Sequence, residues 1–172
     1  MSAVLSYVID PFAILEAAPD ALIIVDTNGC INLINKQTEN LFGYSKEQLI
    51  GQKIEFLIPE RYRIKHEGHR AGYFKQPRTR PMGAGLELYG LHQNGHEFPV
   101  EISLSPLEIK EGFLALAAVR NISDRKKIED AQAMLSAIVQ SSDDAIIGKD
   151  LNGIILAGMR VLNDSMVTPL KK

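Results

Sequence analysis

Part of this chain is written twice. Residues 15–31 read LEAAPDALIIVDTNGCI and residues 139–155 read VQSSDDAIIGKDLNGII, at an offset of 124 with no gap. Seven of the 17 positions are identical, including Asp26, Asn28 and Gly29 against Asp150, Asn152 and Gly153. A period this long marks a tandem domain, not a solenoid unit. The second copy breaks off near Leu156, as if a longer protein had been cut short. The sequence therefore predicts an N-terminal amphipathic segment over 1–13, one whole domain over 14–124, a linker helix over 125–142, and the truncated start of a second copy with an unmatched tail over 143–172.

Within the whole copy the local signals are dense. Val4, Leu5, Val8, Ile9 and Phe12 recur at helical spacing, with Pro11 as a break point. Residues 21–26 read as a strand, Thr27-Asn28-Gly29 as a hairpin turn, and 30–34 as the returning strand. Asn35 is placed to cap a short helix that Gly43 ends, and Ser45 with Gln48 forms a capping box. Pro59 opens a longer helix reaching Phe74, and 76–81, with two Pro and two Arg, reads as a loop. Strands are expected over 86–92, over the alternating run Phe98, Val100, Ile102, Leu104, and over 113–119. The last is apolar on both faces and calls for a cover, either the N-terminal helix or a partner chain. Ile128, Ala131, Leu135 and Ile138 then form an a/d seam, as a single amphipathic helix or a short parallel coiled coil. The order of elements predicts an α+β fold, a five-stranded antiparallel sheet with helices on one face.

Composition removes several function classes. A net charge of −2 leaves no broad basic field for nucleic acid. One cysteine excludes an intrachain disulfide framework and a CxxC zinc site. No apolar run reaches the roughly 20 residues of a membrane helix, and the N-terminus lacks a signal-peptide pattern. A cytoplasmic location is expected. No Gly-x-Ser-x-Gly, P-loop or kinase signature is present, and no His follows His96 to serve as a phosphoacceptor.

Four stretches carry a family resemblance: PDALIIVD near the start, NLFGYSKEQLIGQ, RPMGAGLELYGLHQNGHEFPVEISLSP over 80–106, and VRNISDRKKIE at the exit. Together, over about 14–129, they resemble a PAS domain of bacterial sensor kinases. The resemblance implies a sensory, ligand-binding and dimerising module in signal transduction, of a histidine kinase or cyclic-dinucleotide system. It implies no catalysis; kinase or cyclase activity is expected outside this chain. Asn121-Ile122-Ser123 resembles the joint between PAS domains and signalling helices, although the family more often has Asp and Thr at the outer positions. Signal relay is therefore expected through Asn121, Ile122, Ser123 and the seam residues Ile128, Leu135 and Ile138.

On the longer helix Tyr62, His66, His69 and Tyr73 step by four, three and four and are expected on one face. Two readings stay open: rings that pack and hydrogen-bond, or the lining of a pocket by His66, His69, Tyr73, Met82 and Leu86. PERYRIKHEG resembles the segment of oxygen-sensing haem-PAS kinases that carries the iron-ligating histidine, and His66 falls on it. Those sensors carry an oxygen-contacting arginine after a Gly-x-Gly. Here Leu86 follows Gly83-Ala84-Gly85, so a haem-bound gas would lack that contact. Zinc has only His66 with His69 and His92 with His96 to draw on, without a completing Cys or acidic cluster. Flavin photochemistry needs a Cys in an Asn-Cys-Arg segment, and Cys30 stands elsewhere. The expected partners are a second copy of the chain, an output domain and a small-molecule ligand. A stand-alone interaction protein with no output domain is the alternative.

Overall fold

The turn between the first two strands follows from Asp26 and Gly29. The Asp26 carboxylate accepts from the Cys30 amide at 2.8 Å, and Gly29 takes φ 82°, which a Cβ disfavours. In this computed structural model, which describes residues 10–82, 87–141, 146–149 and 155–159, the turn joins β1 (Ala21–Val25) to β2 (Ile31–Ile34). Two units are distinguished, 1–123 and 124–172.

The first unit is an antiparallel sheet of order β2-β1-β6-β5, with β5 spanning Glu97–Ile109 and β6 Gly112–Asn121. Two short strands, β3 (Arg80–Met82) and β4 (Leu88–Leu91), share the far edge of β5. Six strands thus fill the five expected positions. β3 corrects the expected loop over 76–81. Pro81 pairs with Ser103 at the sheet edge, where a missing N–H costs no ladder bond.

Helices fill the chain between β2 and β3: α2 (Lys36–Phe42), α3 (Lys46–Leu49), a 3-10 turn (Ile54–Leu57) and α4 (Glu60–Lys75). A preceding helix, α1 (Pro11–Glu16), begins at Pro11 rather than being broken by it; the Asp10 carboxylate caps it and Pro at N1 needs no hydrogen bond. The remainder of the expected N-terminal helix lies outside the described residues. The core alternates along the strands, Ala21, Ile23 and Val25 beside Ala115, Ala117 and Val119, with Ile31, Ile34, Leu49 and Leu57 closing it. The opposite face of β6 is half-buried at Leu114, Leu116 and Ala118, while Phe113 is exposed.

Asn35 locks the helices to the sheet. It is 1% exposed. Its Oδ1 accepts from the Leu22 amide (2.9 Å) and the Thr38 amide (3.1 Å). Its Nδ2 donates to the carbonyls of Leu15 (3.1 Å) and Asp20 (2.9 Å). The buried Thr38 hydroxyl donates to the Leu22 carbonyl at 2.9 Å.

Gly90 on β4 lets two rings close. Phe42 and Phe98 meet at 5.5 Å, and a Cβ at Gly90 would stand 2.8 Å from the Phe98 ring and 3.1 Å from Phe42. Gly90→Ala is expected to cost about 1–3 kcal/mol by overpacking. Urea unfolding checks this; an unchanged midpoint contradicts the packing account.

The second unit holds α5 (Ser123–Ser141), whose first residue belongs to the first unit, and a hairpin of β7 (Ile146–Lys149) with β8 (Ile155–Met159). Its register matches that of the first hairpin. Ile23 pairs with Ile34 and Ile147 with Gly158; Val25 pairs with Ile31 and Lys149 with Ile155. Both show the same register shift, between Ile24 and Val25 and between Gly148 and Lys149. All three pairs of the first hairpin recur at the 124-residue offset, and Ile146 with Met159 adds a fourth in the second. No helix among the described residues is long and apolar enough to cross a membrane.

Candidate functional site

The inward face of α4 is polar. Arg63, His66, Arg70 and Tyr73 turn inward, whereas Tyr62 and His69 are exposed. Tyr62, His66, His69 and Tyr73 share one side of this unbroken helix, as expected, but the inward stripe is rotated from it toward Arg63 and Arg70, so that of the four only His66 and Tyr73 turn in. The burial of Glu55 at the 3-10 turn explains it. Its Oε1 lies 2.8 Å from His66 Nδ1 and accepts from Arg70 Nε at 3.1 Å. A buried carboxylate needs such partners, and it sets which side of α4 faces in. Arg70 also donates to the Thr27 carbonyl at 2.8 Å, and its guanidinium occupies the space a Cβ on Gly29 would need. The cluster ties α4 to the first hairpin. Burial pushes the Glu55 carboxyl up, but hydrogen bonds from His66, from its own backbone and from Arg70, with the Arg70 charge, hold it below its ordinary range. Glu55 was hidden in the sequence; the signal was one acid inside the apolar run Ile54 to Ile58.

A cavity of about 300 Å³ opens beside the second half of α4. His69 and Tyr73 line it together with Arg78 and Arg80. Neither His66 nor Met82 is among its described lining residues. Met82 is half-buried on β3, paired with Ile102, and Leu86 lies outside the described residues. His92 and His96 flank the β4–β5 turn, where His92 packs over Gly43 at the end of α2. Among the described residues no group of three or more His, Cys, Asp or Glu converges on a metal position.

The exit from the sheet is a separate construction. Asn121 pairs with Val100, and the Ile122 amide donates to the Pro99 carbonyl at 3.1 Å. Asn121 Oδ1 accepts from the Ser123 amide at 2.8 Å, an Asx turn that starts α5. Ser or Asn in place of Thr or Asp keeps this bonding. Further along α5, Ile128 (60%), Leu135 (63%) and Ile138 (51%) are exposed.

A family model for the PAS fold matches residues 10–117. The chain belongs to the PAS family. It is 28% identical over 138 residues to the sensor protein FixL of Bradyrhizobium diazoefficiens, covering 80% of this PAS chain and 27% of that protein. It is 25% identical to the oxygen sensor protein DosP of Escherichia coli, covering 81% of the chain and 17% of DosP. A PAS domain structure from Colwellia psychrerythraea superposes with a TM-score of 0.57 at 26% identity, covering 65% of this chain and 93% of that one. The chain thus spans about a quarter or less of these curated relatives. As a PAS domain it is a sensory module of signal transduction.

Proposed function

We propose that this PAS domain senses a small molecule, dimerises through α5 and relays its state to an output domain encoded beyond this chain, a histidine kinase being the class most in keeping with its relatives. The observation that carries the reading is the exit joint. Pairing of Val100 with Asn121, and the bonds from Ile122 to Pro99 and from Ser123 to Asn121, fix the start of α5 to the ends of β5 and β6. A shift in the sheet is then passed to Ser123, the first residue of the helix. The shared register of the two hairpins supports a second PAS copy beginning at about residue 143.

The exposed seam serves a second copy of the chain. Ile128→Asp with Leu135→Asp is expected to convert a dimer to a monomer in light scattering; an unchanged mass overturns the seam. The relay is tested in a chimera in which residues 10–141 replace the sensor domain of a histidine kinase. Breaking the joint with Asn121→Ala is expected to change autophosphorylation severalfold. Equal activity overturns the relay.

Haem on His66 is the competing reading, and the absence of His66 from the lining of both described cavities weighs against it. The imidazole is bonded through Nδ1 to the buried Glu55. We expect no Soret band dependent on His66 after reconstitution with haem. A band lost in His66→Ala reverses this assignment.

A further inference from the structure

The cavity beside α4 is lined by positive charge. Its described lining includes the guanidinium residues Arg78 and Arg80 and the imidazole of His69, and no carboxylate. Gly68 and Gly72 line it without side chains, which leaves the helix backbone open to a ligand. Two polar atoms at its wall have no partner. Tyr73 is only 4% exposed, yet its phenolic oxygen makes no hydrogen bond, and Arg80 Nε is likewise buried and unbonded. Native interiors rarely leave two such donors side by side. The Arg80 guanidinium instead lies 5.5 Å from the centre of the Tyr73 ring, a cation–π contact that keeps the two residues together.

We propose that this cavity receives a small organic carboxylate, which draws the Arg80 guanidinium off the Tyr73 ring and takes hydrogen bonds from both residues. The planar fork of an arginine matches a carboxylate in two parallel bonds. The freed phenol supplies a third donor. Burial pushes the Tyr73 hydroxyl up, against a smaller opposing effect of Arg80, so it stays protonated and able to donate. Arg78 is exposed at the same cavity and adds attraction for the incoming charge. The cavity volume, at the small end of ligand sites, suits a metabolite rather than a cofactor.

Arg80 is also the first residue of β3, paired with Leu104 on β5. A ligand that moves its side chain therefore acts on the strand that meets Asn121 four residues away, at Val100. This inference names the ligand class of the proposed sensor and rests on that reading. A chimera that relays normally while no anion binds would overturn the ligand and leave the relay standing.

The test is isothermal titration of the full chain with succinate, and separately with inorganic phosphate, at constant ionic strength. Saturable succinate binding is expected, weakened about tenfold or more by Arg80→Gln and severalfold by Tyr73→Phe. Arg61→Gln, at an exposed arginine paired with Glu97, is expected to bind as the parent does. Binding should also give a near-ultraviolet tyrosine difference signal that is absent in Tyr73→Phe, which a merely structural Tyr73 would not produce. Circular dichroism confirms that each variant is folded, and Arg80→Lys, which keeps the charge without the fork, should bind between the two. No saturable binding, binding indifferent to Arg80→Gln, or phosphate bound more tightly than succinate would each overturn the proposal.

Discussion

Asn35→Ala is expected to destabilise the domain by about 3–4 kcal/mol, among the largest effects of any single side chain here. The change removes a helix cap and leaves buried groups stranded at once. The amides of Leu22 and Thr38 lose an acceptor, and the carbonyls of Leu15 and Asp20 lose a donor. At 1% exposure water cannot replace them without opening the structure. Thr38→Val separates the parts. It removes the hydroxyl, which lies within bonding distance of the Leu22 carbonyl (2.9 Å) and Asn35 Oδ1 (3.0 Å), keeps the four amide and carbonyl bonds of Asn35, and should cost about 1–2 kcal/mol. Both are read from urea unfolding midpoints at an unchanged slope. A loss below about 1 kcal/mol for Asn35→Ala would mean that α1, α2 and the first hairpin are held together by something else.

Glu55→Ala is expected to cost about 3 kcal/mol, because it leaves the half-enclosed His66 and Arg70 facing a site with no negative charge. The same cluster has a pH signature. The Glu55 carboxyl is held below its ordinary value of 4.5, so its folded form binds a proton less readily than the unfolded chain does. Its contribution is full above pH 4.5 and falls away as pH drops through the lower folded value. Glu55→Gln, which titrates nowhere in this range, should flatten that part of the acid limb. Chemical denaturation in a series of acidic buffers checks it. An acid limb as steep as the parent's contradicts the assignment.

The local parts of this fold were legible in the sequence because local chemistry makes them. Asp26-x-Asn28-Gly29 makes a turn, Asn35 and Gly43 bound α2, and Gln48 reaches back to the Ser45 amide at 2.9 Å. The repeat carried more: an identical offset relates the pairing and even the irregularity of both hairpins. The extra edge strand β3 was not legible. Pro81 reads as a loop until β5 is present to give it an edge. Nor was the inward face of α4, since a helix normally buries its apolar stripe. Here the buried stripe contains Arg63, His66 and Arg70, chosen by Glu55, 11 residues before His66 and 15 before Arg70. No periodicity within α4 reports a partner on another element. The pocket shared the same fate: His69 and Tyr73 were expected in it, whereas Arg78 and Arg80 join only when the chain after α4 folds back to start β3.

The central claim is that the state of the sheet leaves through the joint at Asn121 to Ser123 and along α5. The most direct measurement is autophosphorylation of the kinase chimera with about one to seven residues inserted after Ile138, one variant at a time. A seam read by a second copy of the chain has a helical phase. Activity should therefore rise and fall with the insertion and return near the parent level at about seven residues, where the seam comes back into register. Activity that falls steadily with length, or does not change at all, would contradict a relay through this helix.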